Sequence, residues 1–111
     1  MDLTIPPSHS FGSLRPGSDA PATGEHNEQV VAVSHLRVQQ ILSGQNDVPQ
    51  DYVQDDDEWV VVLGGRGVVE VDGQRQTLDA GDWAFLPAGV PHRVVRTEAG
   101  TSWLAVHTPP A

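Results

Sequence analysis

The chain has no cysteine and no lysine, and only six arginines offset its fifteen aspartates and glutamates. Without cysteine there are no disulfides, thiolate nucleophiles, iron-sulfur clusters or sulfur-ligated zinc sites. Without lysine there is no Schiff-base chemistry and no phosphate-loop cation. Any catalysis must therefore use histidine, carboxylate, arginine, tyrosine or a metal. A net charge of −9 repels phosphate backbones and anionic membranes, so the expected partner is a small-molecule ligand or a divalent cation, with no nucleic acid and no membrane. Residues 1–7 lack the basic and apolar regions of an export signal, and no apolar run approaches the roughly 20 residues that cross a bilayer. The expectation is a soluble, cytoplasmic protein. A length of 111 residues accommodates one domain.

Residues 1–29 are rich in Pro, Gly, Ser and Ala, and Pro6-Pro7, Pro16-Gly17 and Pro21 interrupt any regular period. They read as a flexible or loosely docked arm, leaving 30–111 as the domain. Val30, Val31 and Val33 open a β-rich stretch in which Leu36, Val38, Gln40 and Leu42 alternate with His35, Arg37, Gln39 and Ile41. That is the pattern of a half-buried first strand, with His35 on its polar phase. Further short strands are expected at 52–54, 58–63, 68–71, 74–78, 83–86, 92–96 and 103–107, with Asp72-Gly73 as a hairpin turn. Seven or eight short strands divided by Gly, Pro and Asp turns, with no helix of useful length, indicate an all-β antiparallel sandwich or small barrel.

The most specific stretch is Gly81-Asp82-Trp83-Ala84-Phe85-Leu86-Pro87-Ala88-Gly89-Val90-Pro91-His92. A glycine turn feeds a strand, a proline and a second glycine shape a corner, and the next strand opens on a histidine. This stretch resembles the second motif of the cupin superfamily. Glu58 followed seven residues later by Gly65 resembles the second half of the first cupin motif, but the two histidines expected upstream are absent. Tyr52 and Gln54 occupy their places in the chemically better register. With 37–45 and 103–107, these segments resemble small single-domain bacterial cupins that carry Tyr-x-Gln in place of His-x-His. The resemblance implies a cupin-type antiparallel β-barrel, or jelly roll. It also implies a homodimer in which the early strand joins the partner's sheet.

The same resemblance implies a pocket in which Gln54, Glu58 and His92 are metal ligands and Tyr52 is an acid or base beside them. His107 would add an imidazole if the last strand turns it inward. Such a set suits Zn, Mn, Fe or Ni less tightly than three imidazoles would. The same groups could equally form a hydrogen-bonded polar cluster without metal. Arg96 lies four residues after His92 and so on the same face of an ideal strand, where it could bind a substrate carboxylate or phosphate or pair with a neighbouring acid. Asp55-Asp56-Asp57 reads as a solvated run at the pocket mouth. Trp59 and Trp103 are expected outside the barrel or at a dimer interface. Two functions remain open: a metal-assisted dioxygenase or isomerase of a small polar metabolite, with Tyr52 and Glu58 catalytic, or a non-enzymatic binding or sensing module. A sugar isomerase-like activity rests on fold analogy alone.

Overall fold

The computed structural model describes residues 9–109, so the first eight residues of the expected arm and the last two of the domain lie outside it. Nine strands follow a single 3-10 turn at Gly17–Asp19: β1 (Glu25–Val33), β2 (Leu36–Ser43), β3 (Gln50–Tyr52), β4 (Asp57–Gly64), β5 (Arg66–Val71), β6 (Gln74–Asp79), β7 (Trp83–Leu86), β8 (His92–Thr97) and β9 (Thr101–Thr108). They form a five-stranded sheet ordered β1-β2-β9-β4-β7 and a four-stranded sheet ordered β3-β8-β5-β6. Every pairing is antiparallel. The all-β jelly roll expected from the sequence is the fold observed.

The β5–β6 hairpin forms where Asp72-Gly73 predicts it. Both turn residues have positive φ, 52° and 78°, as a type I′ turn requires. The stretch expected to be one first strand is instead a hairpin. Ser34, at φ 27°, turns the chain so that β1 pairs with β2 from Glu25↔Ser43 to Val33↔Leu36. His35 is therefore an exposed turn residue. The strand also begins four residues before the expected end of the arm, at Glu25.

Valine, leucine and tryptophan side chains fill the space between the sheets, with Val60, Val62, Val69, Leu78, Leu86, Trp103 and Ala105 forming one buried cluster. Contrary to expectation, Trp103 lies inside the barrel, only 5% exposed. Its indole N–H donates to Ser43 Oγ at 3.1 Å, which satisfies the polar end of a buried aromatic. Gly67 lies against the ring, and a Cβ at that position would come within 2.3 Å of it, so only glycine fits.

The first residues of the described chain dock on the outside of the five-stranded sheet. Gln40, 2% exposed, accepts from Arg15 N–H and donates to Arg15 C=O, both at 2.9 Å. The alternating phase of β2 accordingly runs opposite to a simple apolar-inward reading. Arg37, Gln39, Ile41 and Ser43 line the barrel cavity, while Gln40 and Leu42 are buried on the other phase, where Gln40 meets the docked arm.

Candidate functional site

The cavity opens between the two sheets and has a volume of about 270 Å³. Apolar side chains, among them Val60, Val69, Leu86 and Trp103, form part of its wall, together with a polar group that includes Tyr52, Gln54, Glu58, His92 and His107. The backbone register explains why these residues meet. In the five-stranded sheet Glu58 of β4 stands directly opposite His107 of β9. In the facing sheet Tyr52 of β3 stands opposite His92 of β8, and their rings stack at 5.5 Å with 16° between planes.

The proline-glycine corner anticipated from the sequence is fastened to the segment carrying Gln54. Gly89, at φ 76°, donates its N–H to Gln54 C=O at 2.8 Å, and Ala88 N–H donates to Asp57 Oδ1 at 2.8 Å. Those two bonds connect the loop that delivers His92 to the loop that delivers Glu58. Gln54 Nε2 then donates to Glu58 Oε1 at 2.9 Å, which leaves Oε2 directed toward His107 Nε2, 3.9 Å away.

Glu58, His92 and His107 are each at most 7% exposed. His92 Nδ1 and His107 Nε2 have no hydrogen-bond partner. Buried polar atoms are ordinarily satisfied, so these nitrogens are donors with capacity for a ligand. On the far side of the His107 ring, Nδ1 lies 3.0 Å from Asp56 Oδ2, and the same carboxylate oxygen meets the Arg37 guanidinium at 3.3 Å. Burial, reinforced by the charges of Glu25 and Glu58, pushes the Tyr52 phenol above its ordinary pKa. Tyr52 therefore faces the cavity as a neutral O–H donor at physiological pH.

Tyr52, Gln54, Glu58, His92 and His107 all line this one cavity. Arg96 does not join them. Between Val68 and Val69 of β5 the ladder to β8 slips, so that Val69 pairs with Val94 and Val68 with Arg96, leaving Val95 as an extra residue. A bulge reverses the alternation beyond it. Thr97 becomes the buried residue, its hydroxyl bonded to Gly44 C=O, while Arg96 is exposed in a separate groove beside Asn46 and Gln50. It forms no ion pair among the described residues. Asp56 and Arg37 are the site residues that the sequence reading missed. Asp56 lies in the bend just before β4, two residues from Glu58, and in the sequence it looked like part of a solvated acidic run.

The donors suit a divalent cation chemically: two imidazole nitrogens free of partners and one carboxylate oxygen. Among the described residues, however, no three His, Asp or Glu side chains are gathered into a metal site. The pair Glu58 and His107 lies on one wall, and His92 stands on the facing sheet.

Residues 37–107 match the family model for the cupin domain, and the chain belongs to that family. It is 34% identical over 64 residues to an uncharacterized protein of Aquifex aeolicus, a match spanning 58% of this chain and about half, 52%, of that protein. A solved structure from Ralstonia eutropha, described provisionally as a mannose-6-phosphate isomerase, is 31% identical with a TM-score of 0.76, covering 94% of this chain and all of the other. An RmlC-like cupin from Shewanella frigidimarina (21% identity, TM-score 0.69, 93% of each chain) shares the fold. So does KdgF from Halomonas sp. (19% identity, TM-score 0.67, 93% of this chain and 90% of that one). Among the described residues no helix is long and apolar enough to cross a membrane.

Proposed function

We propose that this cupin is an isomerase-like enzyme that moves a proton on a small polar carbonyl metabolite held in the barrel cavity. The observation that carries this reading is the buried Glu58-His107 pair, with Gln54 fixing one carboxylate oxygen and leaving the other toward the cavity. Glu58 is the base, taking the proton from the carbon beside the carbonyl. Tyr52, held neutral by its surroundings, donates a hydrogen bond to the carbonyl oxygen as charge develops there. Amide and hydroxyl groups from Asn27, Gln39 and Ser43 in the same wall suit a hydroxylated substrate. The name given to the similar Ralstonia protein points to the same reaction class, a sugar aldose-ketose interconversion.

A divalent cation, when bound, would be held by Glu58, His92 and His107 and would polarise the carbonyl. Proton transfer also fits the residues better than dioxygen chemistry, because carboxylate and phenol suffice for it. A second reading, binding without catalysis, is favoured by one feature. Gln54 stands where other cupins place an imidazole, and its amide nitrogen is occupied by Glu58.

The test is solvent-deuterium incorporation, followed by NMR, into a panel of sugars and sugar phosphates, with protein that is chelated or loaded with Zn, Mn, Ni or Fe. Exchange is expected with at least one panel member and should fall about 100-fold or more in Glu58→Gln. His92→Ala should abolish only the metal-dependent part, together with stoichiometric metal binding measured directly, whereas His107→Ala should lower exchange under every condition because it removes the partner of Glu58. Thermal stabilisation by a panel member without exchange under any condition would replace the enzyme with the binder.

A further inference from the structure

Six arginines share the chain with fifteen acids, yet among the described residues Arg96 has no carboxylate within ion-pair distance, while the other five arginines each have one. Its groove, of about 290 Å³, adjoins the cavity, and Glu25, Ser43, Tyr52 and Val94 border both spaces. The wall beside Arg96 is firmly tied. Asn46 and Thr97 exchange backbone hydrogen bonds at 3.1 and 3.0 Å, and the Asn46 amide donates to Gly24 C=O, Gly44 C=O and Thr97 Oγ1. Three other polar groups of the lining keep donors to spare. Gln50 precedes Tyr52 by two residues and shares its face of β3, and its amide makes no hydrogen bond among the described residues. Ser43, 2% exposed, accepts from the Trp103 indole N–H, and its own hydroxyl proton has no acceptor among the described residues. Tyr52, with its neutral phenol, stands between the cavity and the groove.

We infer that Arg96 anchors the anionic end, phosphate or carboxylate, of the metabolite whose carbonyl lies beside Glu58 and Tyr52, an assignment that rests on the cavity holding that carbonyl. A guanidinium presents a planar fork of donors that matches either oxyanion. The spare donors of Gln50, Ser43 and Tyr52 supply the remaining oxygens. Length also fits. Four residues along β8 separate His92 from Arg96 by at most about 13 Å, and the bulge at Val95 shortens the path. A chain of five or six carbons ending in an anion spans that gap with the reach of the arginine side chain. Glu25, on the facing sheet, is the only acid among the described residues that line the groove. Partial desolvation holds its carboxyl above its ordinary pKa, so it gives up its charge more readily than an ordinary glutamate. In a chain of net charge −9, which repels anions at long range, an unpaired arginine beside the cavity is the local charge that an anionic substrate needs.

Calorimetric titration of the wild-type chain with glucose, mannose and galactose, each as the free sugar, the 6-phosphate and the uronic acid, reads the anchor without turnover. At least one anionic form is expected to bind about 10-fold or more tightly than its neutral parent, as a charge-assisted hydrogen-bonded pair provides. Which anion gains identifies the end group. Arg96→Gln should abolish the gain, leave the neutral sugars unchanged and keep the wild-type melting temperature, because Arg96 has no ion pair to lose. Arg75→Gln removes the same charge from a paired surface site and should retain the preference. Equal affinity for charged and neutral forms, no binding of any anionic form, or a preference that survives Arg96→Gln would each overturn the inference. Deuterium exchange separates it from the enzyme reading. Anion preference without exchange keeps the anchor and removes the isomerase, whereas exchange on neutral sugars without anion preference keeps the isomerase and removes the anchor.

Discussion

Glu25 stands at the cavity rim on β1, where it stays exposed, and its carboxyl is held above its ordinary pKa by partial desolvation first, with the charge of Glu58 adding to it, against an opposing hydrogen bond from Asn27. A carboxyl whose folded pKa exceeds its unfolded value contributes stability only while protonated. That contribution is complete below the unfolded pKa and is lost as pH rises through the folded one. The charged form is thus the unfavourable one in the native state. Glu25→Gln, which stays neutral, should melt close to wild type near pH 4 and above wild type near pH 7.5. Thermal melts of both proteins across that range check the sign, and a variant that melts lower at pH 7.5 would refute it. Residue-scale reasoning of this kind was out of reach from the sequence, because Glu25 fell in the presumptive arm and nothing local marks it as facing Glu58.

At the scale of strands, the interaction that fixes the arm is unusually concentrated. Gln40 makes three hydrogen bonds, two with the Arg15 backbone and one to Ser102 Oγ at 2.9 Å. Removing a buried partner leaves the remaining groups desolvated and unmatched, at a cost of about 1–3 kcal/mol. Gln40→Ala should lose that much stability in urea titrations, and thermolysin should cut near Phe11 and Leu14 faster than in wild type. Unaltered proteolysis would mean that the arm is held elsewhere. Elements differed in how legible they were, for physical reasons. The Asp72-Gly73 hairpin and the corner around Gly89 are governed by local backbone preference, so their residues announce them. Glu58 and His92 were readable through motif spacing. The bulge at Val95 was not, because it is a property of the pairing between β5 and β8, and it alone turns Arg96 away from the cavity. The inward phase of β2 was hidden for a related reason. Alternation shows that a strand has two faces, but β2 is covered on both at Gln40 and its neighbours, on one side by the cavity and on the other by the arm.

For the whole molecule, the dominant unsatisfied quantity is charge. Five of the six arginines already have carboxylate partners: Arg15 with Glu28, Arg37 with Asp56, Arg66 with Asp79, Arg75 with Glu70 and Arg93 with Asp51. Most of these pairs are solvent-exposed and each contributes little, so the remaining excess of acids acts as a diffuse self-repulsion. The chain measures 49 × 31 × 21 Å. The screening length is about 30 Å at 0.01 M salt and about 8 Å at 0.15 M. Repulsion therefore reaches across the molecule in dilute buffer and is confined to near neighbours at physiological ionic strength. Sodium chloride, which lacks the strong surface exclusion of sulfate, should raise the melting temperature between those two concentrations by roughly 3–6 °C, equivalent to about 1 kcal/mol. Asp47 and Asp55 are exposed and have no ion-pair partner among the described residues. Asp47→Asn with Asp55→Asn should therefore melt above wild type at low salt and gain less from added salt. A melting temperature that falls with sodium chloride would show that the surface ion pairs, and not the net charge, govern the electrostatic stability of this fold.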